Sequence, residues 1–346
     1  MNIQARVAEQ RRQAGFSLLE VLIAVTLFMI ITGAIFALIG AARLDRITVN
    51  QRAEMVQNLR VAMNAMGRDA LNAGFRYTKV GGNLPDNQLN SLLGLPTDSN
   101  TTADVLPAIV SGKALNDNTL NPDTNAANRK TDQVTFVYQY IPASPTPSPT
   151  PFDTLSISAI SANQLTIQSP ATNAGVNTND LYLIVGNNSQ AIGMVTGKTG
   201  TDKIDLASTD PLTINKTSSG GNVIKNVPAP ATITKIRLVT FKVLTDGTLV
   251  RIEYGNDTGT KQEQPLAYGI EKMVVEYVLA DGTLTRDPAA GTDGIYGNGD
   301  DTPSKLNNVR QVRITLTARS IDKDTRVNDF HRVTLTGTYN TRNLSY

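Results

Sequence analysis

One carboxylate stands out as a group that could do chemistry. Glu20 is the only charged residue between Phe16 and Ala42, in the run FSLLEVLIAVTLFMIITGAIFALIGAA. An unpaired carboxylate in lipid costs at least a few kcal/mol, so its position is functional by default and calls for a cationic partner. A second candidate is the loop GTDGIYGNGDD, residues 291–301, where Asp293, Asn298, Asp300 and Asp301 sit between glycines. Such a loop can wrap oxygen ligands around a hard cation, with calcium as the candidate ion. Its spacing lacks the terminal bidentate Glu of an EF-hand, and acidic Gly/Asn loops also serve as plain turns. The single His331 cannot build a site on two imidazoles, and it reads as part of a solvated strand edge. With no Cys, disulfides, thiolate metal sites and thiol nucleophiles are excluded. Phosphate-loop, nucleophile-elbow and His-based triad patterns are also missing, so no enzymatic activity is expected.

The element that must position Glu20 is a helix. At about 1.5 Å per residue the run from Phe16 to Ala42 spans a hydrocarbon core of roughly 30 Å. Arg6, Arg11 and Arg12 precede it and place that end in the cytoplasm by the positive-inside tendency, so only the far end is exported. A secretory signal peptide would end its apolar run in small residues and carry no carboxylate near the start. Beyond the run, Val56, Leu59, Met63, Met66, Ala70 and Ala73 recur at alternating spacings of three and four, one apolar stripe that needs a surface to cover. Gly74 stands where a C-terminal cap is expected.

The hexapeptide Gly15-Phe16-Ser17-Leu18-Leu19-Glu20 after a short basic leader resembles the type IV prepilin signature. The resemblance implies a prepilin peptidase that cuts between Gly15 and Phe16 and methylates the new amino terminus of Phe16. It also implies that Glu20 pairs with the Phe16 amine of a neighbouring subunit and so sets register in a fibre. The proline that many major pilins carry in the membrane half is missing, which points away from a main structural subunit. Gly33 and Gly40 stand in that half, each lowering helix propensity by up to about 1 kcal/mol.

The remainder reads as β-rich. Residues 76–132 are turn-rich without sustained periodicity, and QVTFVYQYI at 133–141 reads as the first head strand. PASPTPSPTP at 142–151 reads as an extended linker. Short strand candidates alternate with Asn/Gly turns from Phe152 to about Ala231. From Ile233 the segments ITKIRLVTFKVL, TLVRIEYG, IEKMVVEYVLA, VRQVRITLTARS and HRVTLTGTYN suggest an antiparallel sheet that packs on the Met63 and Met66 face of the helix. The expected fold is therefore α+β. Its parts are a leader at 1–15, an assembly helix at 16–75, a connection with first head strand at 76–141, the linker, an inserted small β subdomain at 152–231, and the C-terminal antiparallel sheet of the head at 232–346.

RDALNAGF at 68–75, YGIEKMVVEY at 268–277 and NNVRQVRITLTARS at 307–320 resemble the PilW type of minor pilin. That resemblance implies a subunit that starts pilus assembly or belongs to the tip. Its partners would be prepilin peptidase, other major and minor pilins through the helix, the inner membrane and the inner-membrane assembly platform. It would be a single-pass inner-membrane protein before entering a pilus fibre or a periplasmic pseudopilus. The alternative is a minor pseudopilin of type II secretion of the J type, which shares the helix, the cleavage site and a β-rich head. A DNA-uptake receptor or adhesin head ranks behind both. Removing residues 1–15 takes away three arginines against Glu9 and brings the formal charge from +2 to zero. A neutral chain argues against nucleic acid. Lys235, Arg237, Lys242 and Arg251 alternate with apolar residues and read as a solvated strand face.

Overall fold

The computed structural model of the chain describes residues 16–97, 101–140, 154–161, 163–216, 223–256, 260–288, 308–324 and 328–344. The leader with Gly15, the Pro-rich stretch 142–151 and the 291–301 loop with Asp293, Asn298, Asp300 and Asp301 lie outside them. The chain divides into two units, one ending at Ala53 and the other running from Glu54 to Tyr346.

Helix α1 (Leu18–Asn72) contributes to both. In the first unit its side chains are exposed almost throughout, with a window of mean hydropathy 2.7 of which none is buried. The helix is long and apolar enough to cross a membrane. Satisfying backbone groups within the segment is what lipid demands, and a helix does so without partners. A methyl group added at Gly33 or Gly40 would meet nothing in this chain, so packing within the subunit does not require either glycine.

In the second unit α1 buries Met55, Leu59, Ala62, Met63, Met66, Gly67, Asp69 and Ala70. The stripe differs in one place from the one read in the sequence: Val56 is only half-buried and Met55 takes its place. The helix stops at Asn72. Gly74 adopts a left-handed φ of 77°, and its N–H donates to the Val137 carbonyl at 2.8 Å, tying the end of the helix to a strand.

Residues 76–132 are not irregular throughout. They hold β1 (Gly82–Leu84), α2 (Gln88–Leu93), β2 (Asp104–Leu106), β3 (Ile109–Asn116) and α3 (Ala126–Arg129), after which comes β4 (Thr131–Gln139). Six strands follow: β5 (Leu155–Ile160), β6 (Gln164–Ile167), β7 (Leu181–Val185), β8 (Gln190–Met194), β9 (Gly197–Thr199) and β10 (Lys203–Asp205). The last seven are β11 (Ala231–Val243), β12 (Leu249–Tyr254), β13 (Lys261–Ala267), β14 (Ile270–Leu279), β15 (Leu284–Thr285), β16 (Val309–Asp324) and β17 (Asp329–Asn340).

The long strand β11 is the spine. Its first half pairs with β5 and β7, and its second half pairs with β4 and β12. The first half thereby borders an apolar cluster of its own, built from residues such as Ile157, Leu165, Ile184, Ile204 and Ile233. The second half borders the main core, whose largest buried side chains include Tyr277, Phe136, Phe241, Leu59 and Met66. The five C-terminal segments, expected in one sheet, divide between two. Strands β11 and β12 belong to the larger sheet, while β14, β16 and β17 form a four-stranded sheet in the order β15-β14-β16-β17. Sequence alternation marks each strand's two faces but not its neighbour, which is why the division is invisible until the chain folds. Among the described residues pairing is antiparallel apart from the short contact of β1 with β8, and the α+β class stands.

Asp132 on β4 clasps the two sheets. Its carboxylate accepts from the N–H of Val275 on β14 at 2.8 Å and from the N–H of Ala114 on β3 at 2.8 Å, and Arg286 reaches it with two nitrogens. A buried carboxylate is tolerated only when its lone pairs are filled in this way.

Candidate assembly site at the start of the helix

The start of α1 is built by a reciprocal pair. The Ser17 hydroxyl accepts from the N–H of Glu20 at 3.1 Å, and the Glu20 carboxylate accepts from the N–H of Ser17 at 3.0 Å. Ser17 is the N-cap and Glu20 the third helical residue, the spacing of a capping box that satisfies two orphan N–H groups. Such a cap contributes about 1 kcal/mol.

Both groups are exposed in the single subunit. Phe16, Glu20, Val21, Ala24, Val25 and Phe28 line a shallow groove along this end of the helix, apolar apart from the carboxylate. Phe16 is 87% exposed. The arrangement therefore presents an acceptor in an apolar setting with one oxygen engaged by its own backbone, ready for a donor from outside.

Sequence reading missed a second polar cluster, in the second unit. Arg251 on β12 lies 2.9 Å through Nε from Asp69 Oδ2 on α1 and 2.9 Å through Nη1 from Glu253 Oε2. The Tyr138 hydroxyl donates to the other Asp69 oxygen at 3.0 Å, and Arg237 lies 2.7 Å from Glu253 Oε1. Burial works against the charge of Arg251, yet Asp69 and Glu253 hold its pKa above the ordinary guanidinium value. Burial, reinforced by the Asp69 charge, raises the Tyr138 phenol. The cluster fixes the helix on the sheet.

This overturns the solvated-face reading of Lys235, Arg237, Lys242 and Arg251. Arg251 is buried, Arg237 is paired with Glu253, and Lys235 lies 2.7 Å from the buried Asp180. Lys242 is half-buried, and burial followed by the nearby Lys261 lowers its pKa. Alternation along β11 and β12 shows which residues share a face but not what covers it: Asp69 and Asp180 arrive from distant positions, while Glu253 comes from β12 itself. Three of the four cations are thus neutralised locally.

His331 lies on the edge strand β17, as expected, but it has a partner: Nε2 is 3.0 Å from Asp324 Oδ2. Among the described residues no group of three His, Cys, Asp or Glu is placed to hold a metal ion. Asp281, near the acidic loop, accepts from the N–H of Thr283 in its own turn.

Residues 10–36 match the family described as Prokaryotic N-terminal methylation motif, and residues 239–344 match Type IV Pilus-assembly protein W. No match was found among curated proteins or among solved structures. The two matched segments bear on the parts of the chain set out above, the start of α1 in one case and the strands from β11 to β17 in the other.

Proposed function

We propose that this type IV pilin-like, PilW-type protein, a pilus-related minor pilin, is processed between Gly15 and Phe16 and then enters the fibre to start assembly or to join the tip. Prepilin peptidase would remove residues 1–15 at the cytoplasmic face of the inner membrane and methylate the Phe16 amine. The first half of α1 would hold the subunit in the membrane as a single pass with the head exported. The assembly platform would then pass it to other pilins.

The observation that carries this reading is the Ser17–Glu20 box, which sets a carboxylate at the mouth of an apolar groove one turn from the new amino terminus. In the fibre Glu20 would take the methylated amine of a neighbour, a pair in low dielectric where a lone charge is strongly disfavoured. The match of residues 239–344 to the W family favours a pilus over the pseudopilus of type II secretion. Residues 152–231 are taken as an insertion, on the support of their own apolar cluster.

Mass spectrometry of protein recovered from sheared fibres tests the reading. The mature chain should begin with N-methylated Phe16. Assembled material that still begins at Met1 overturns it.

A further inference from the structure

The long edge strand β17 ends the four-stranded sheet, and among the described residues only β16 pairs with it. Thr341 donates to the Arg310 carbonyl at the foot of this ladder. By the alternation of an antiparallel pair, the odd-numbered N–H groups of β17 then face β16, and those of Thr334, Thr336, Thr338 and Asn340 turn outward. The same parity makes Thr315–Thr336 and Thr317–Thr334 the close, non-hydrogen-bonded pairs. Their hydroxyls do meet, at 3.0 Å in each case. Among the described residues no hydrogen bond reaches the outward groups from Thr334 to Asn340.

Proteins protect such an edge with charges, prolines, bulges or brevity. One edge strand of the larger sheet does so: β13 reads KQEQPLA, with Lys261, Glu263 and Pro265. In β17 the eight residues VTLTGTYN, 333–340, carry no charge, no proline and no register shift. The unprotected edge adjoins α1, where Gly337 closes on Met63 and Tyr339 on Gly67, with the Tyr339 hydroxyl donating to the Met63 carbonyl at 2.8 Å. Leu71, one turn on from Gly67, is 40% exposed.

We infer that the outer edge of β17 is a strand-addition site, occupied in the fibre by an extended strand from a different pilin-like subunit. This deepens the fibre-subunit reading and rests on it. The occupant adds main-chain hydrogen bonds to the outward groups of Thr334, Thr336 and Thr338 and sets apolar side chains on the side of Val333 and Leu335. A second copy of this chain is a poor occupant. Two β17 strands pairing antiparallel would need a two-fold axis, which a fibre of co-directional helices does not supply. Among the described residues the chain offers no complementary free edge of similar length. Strand β3 is buried over Ile109–Gly112 and shifts register beyond it, β13 is charged and interrupted by proline, and β9 and β15 are short.

Hydrogen exchange on the full chain, in detergent and in assembled fibres, tests the site without mutation. The amides of Thr334, Thr336 and Thr338 should exchange at least about tenfold more slowly in fibres. Because the chain has no Cys, Thr338→Cys gives one thiol, and a maleimide–benzophenone reagent attached there should, on illumination, insert into a C–H bond of a different pilin-like chain in fibres. Thr336→Pro removes an outward donor and no bond to β16, and should abolish both the protection and the adduct while the melting temperature of the detergent-solubilised chain stays within a few degrees. Unchanged exchange on assembly, adducts to the same chain alone, or normal protection in a folded Thr336→Pro variant each overturn the inference. If Thr336→Pro does not fold, the exchange and cross-linking of the parent decide. Absence of the parent chain from fibres is a separate failure, that of the fibre-subunit reading itself.

Discussion

Asp69 and Arg251 meet at 2.9 Å although 182 residues separate them, one on the helix and the other on a central strand. Tyr138 and Glu253 complete the shell around the pair. Because all four are largely desolvated, the pair contributes specificity of docking more than net stability, and breaking it leaves a buried charge alone.

Removing one partner should therefore be costly. Asp69→Ala is expected to destabilise the second unit by about 3–5 kcal/mol, whereas a double change to Asp69→Leu with Arg251→Met should recover most of that loss. Denaturant unfolding followed by circular dichroism measures both. A single variant as stable as the parent would show that the network does not hold the helix.

At the start of α1 two residues share one box but differ in what assembly asks of them. Ser17→Ala loses a cap of about 1 kcal/mol and should still enter fibres, because its hydroxyl serves only the subunit's own backbone. Glu20→Ala loses the cap and the charge offered to a neighbour, and should be depleted from sheared fibres at least about tenfold. Immunoblots of the fibre fraction against the membrane fraction read the difference. Equal incorporation of the two variants would reduce Glu20 to a capping residue.

The amphipathic stripe, the membrane-length run and the Gly15–Glu20 signature were legible because each depends on residues close in sequence. Even the capping box was there to read, as Ser17 and Glu20 at a spacing of three, although the carboxylate drew attention for its charge alone. The misreadings concern what covers a face once the chain has folded. Arg237 and Arg251 were placed on a face correctly, but what covers that face is Asp69 from the helix and Glu253 two residues further along the strand. The division of the last five segments into two sheets depends on β11 choosing β4, β5, β7 and β12 as neighbours, a choice that no local period encodes. Residues 76–132 looked irregular because their strands and helices are too short to show a period.

Asp210 gives a pH test of the segment after β10. Its oxygens accept from the N–H groups of Ile214 at 2.7 Å and Asn215 at 2.9 Å, yet burial outweighs these bonds and raises its pKa. A carboxyl with a raised folded-state pKa binds its proton more tightly when folded. Its contribution is complete below the unfolded pKa and is lost as pH rises through the folded value. Asp210→Asn should remove that part of the pH dependence, so parent stability relative to the variant should fall as pH is raised out of the acid range. Urea midpoints across pH measure this, and a difference that grows with pH would reverse the sign and refute the assignment.

Gly67 sets two small terms against each other. Replacing a glycine inside a helix by alanine normally adds about 1 kcal/mol through propensity. Here the new methyl group would collide with the ring of Tyr339, a side chain held in place by its hydroxyl bond to the Met63 carbonyl. Overpacking of this kind costs about 1–3 kcal/mol, and the ring can yield only by straining that hydroxyl bond. The collision should win, so Gly67→Ala is expected to be destabilising by about 1–2 kcal/mol. Adding Tyr339→Leu, which removes the ring and keeps an apolar cover, should turn the alanine from harmful to neutral or favourable. A thermal-melt double-mutant cycle isolates the coupling between the two positions. Additive effects would mean that α1 can shift along β17, and that the strand's close approach to the helix is not fixed by this contact.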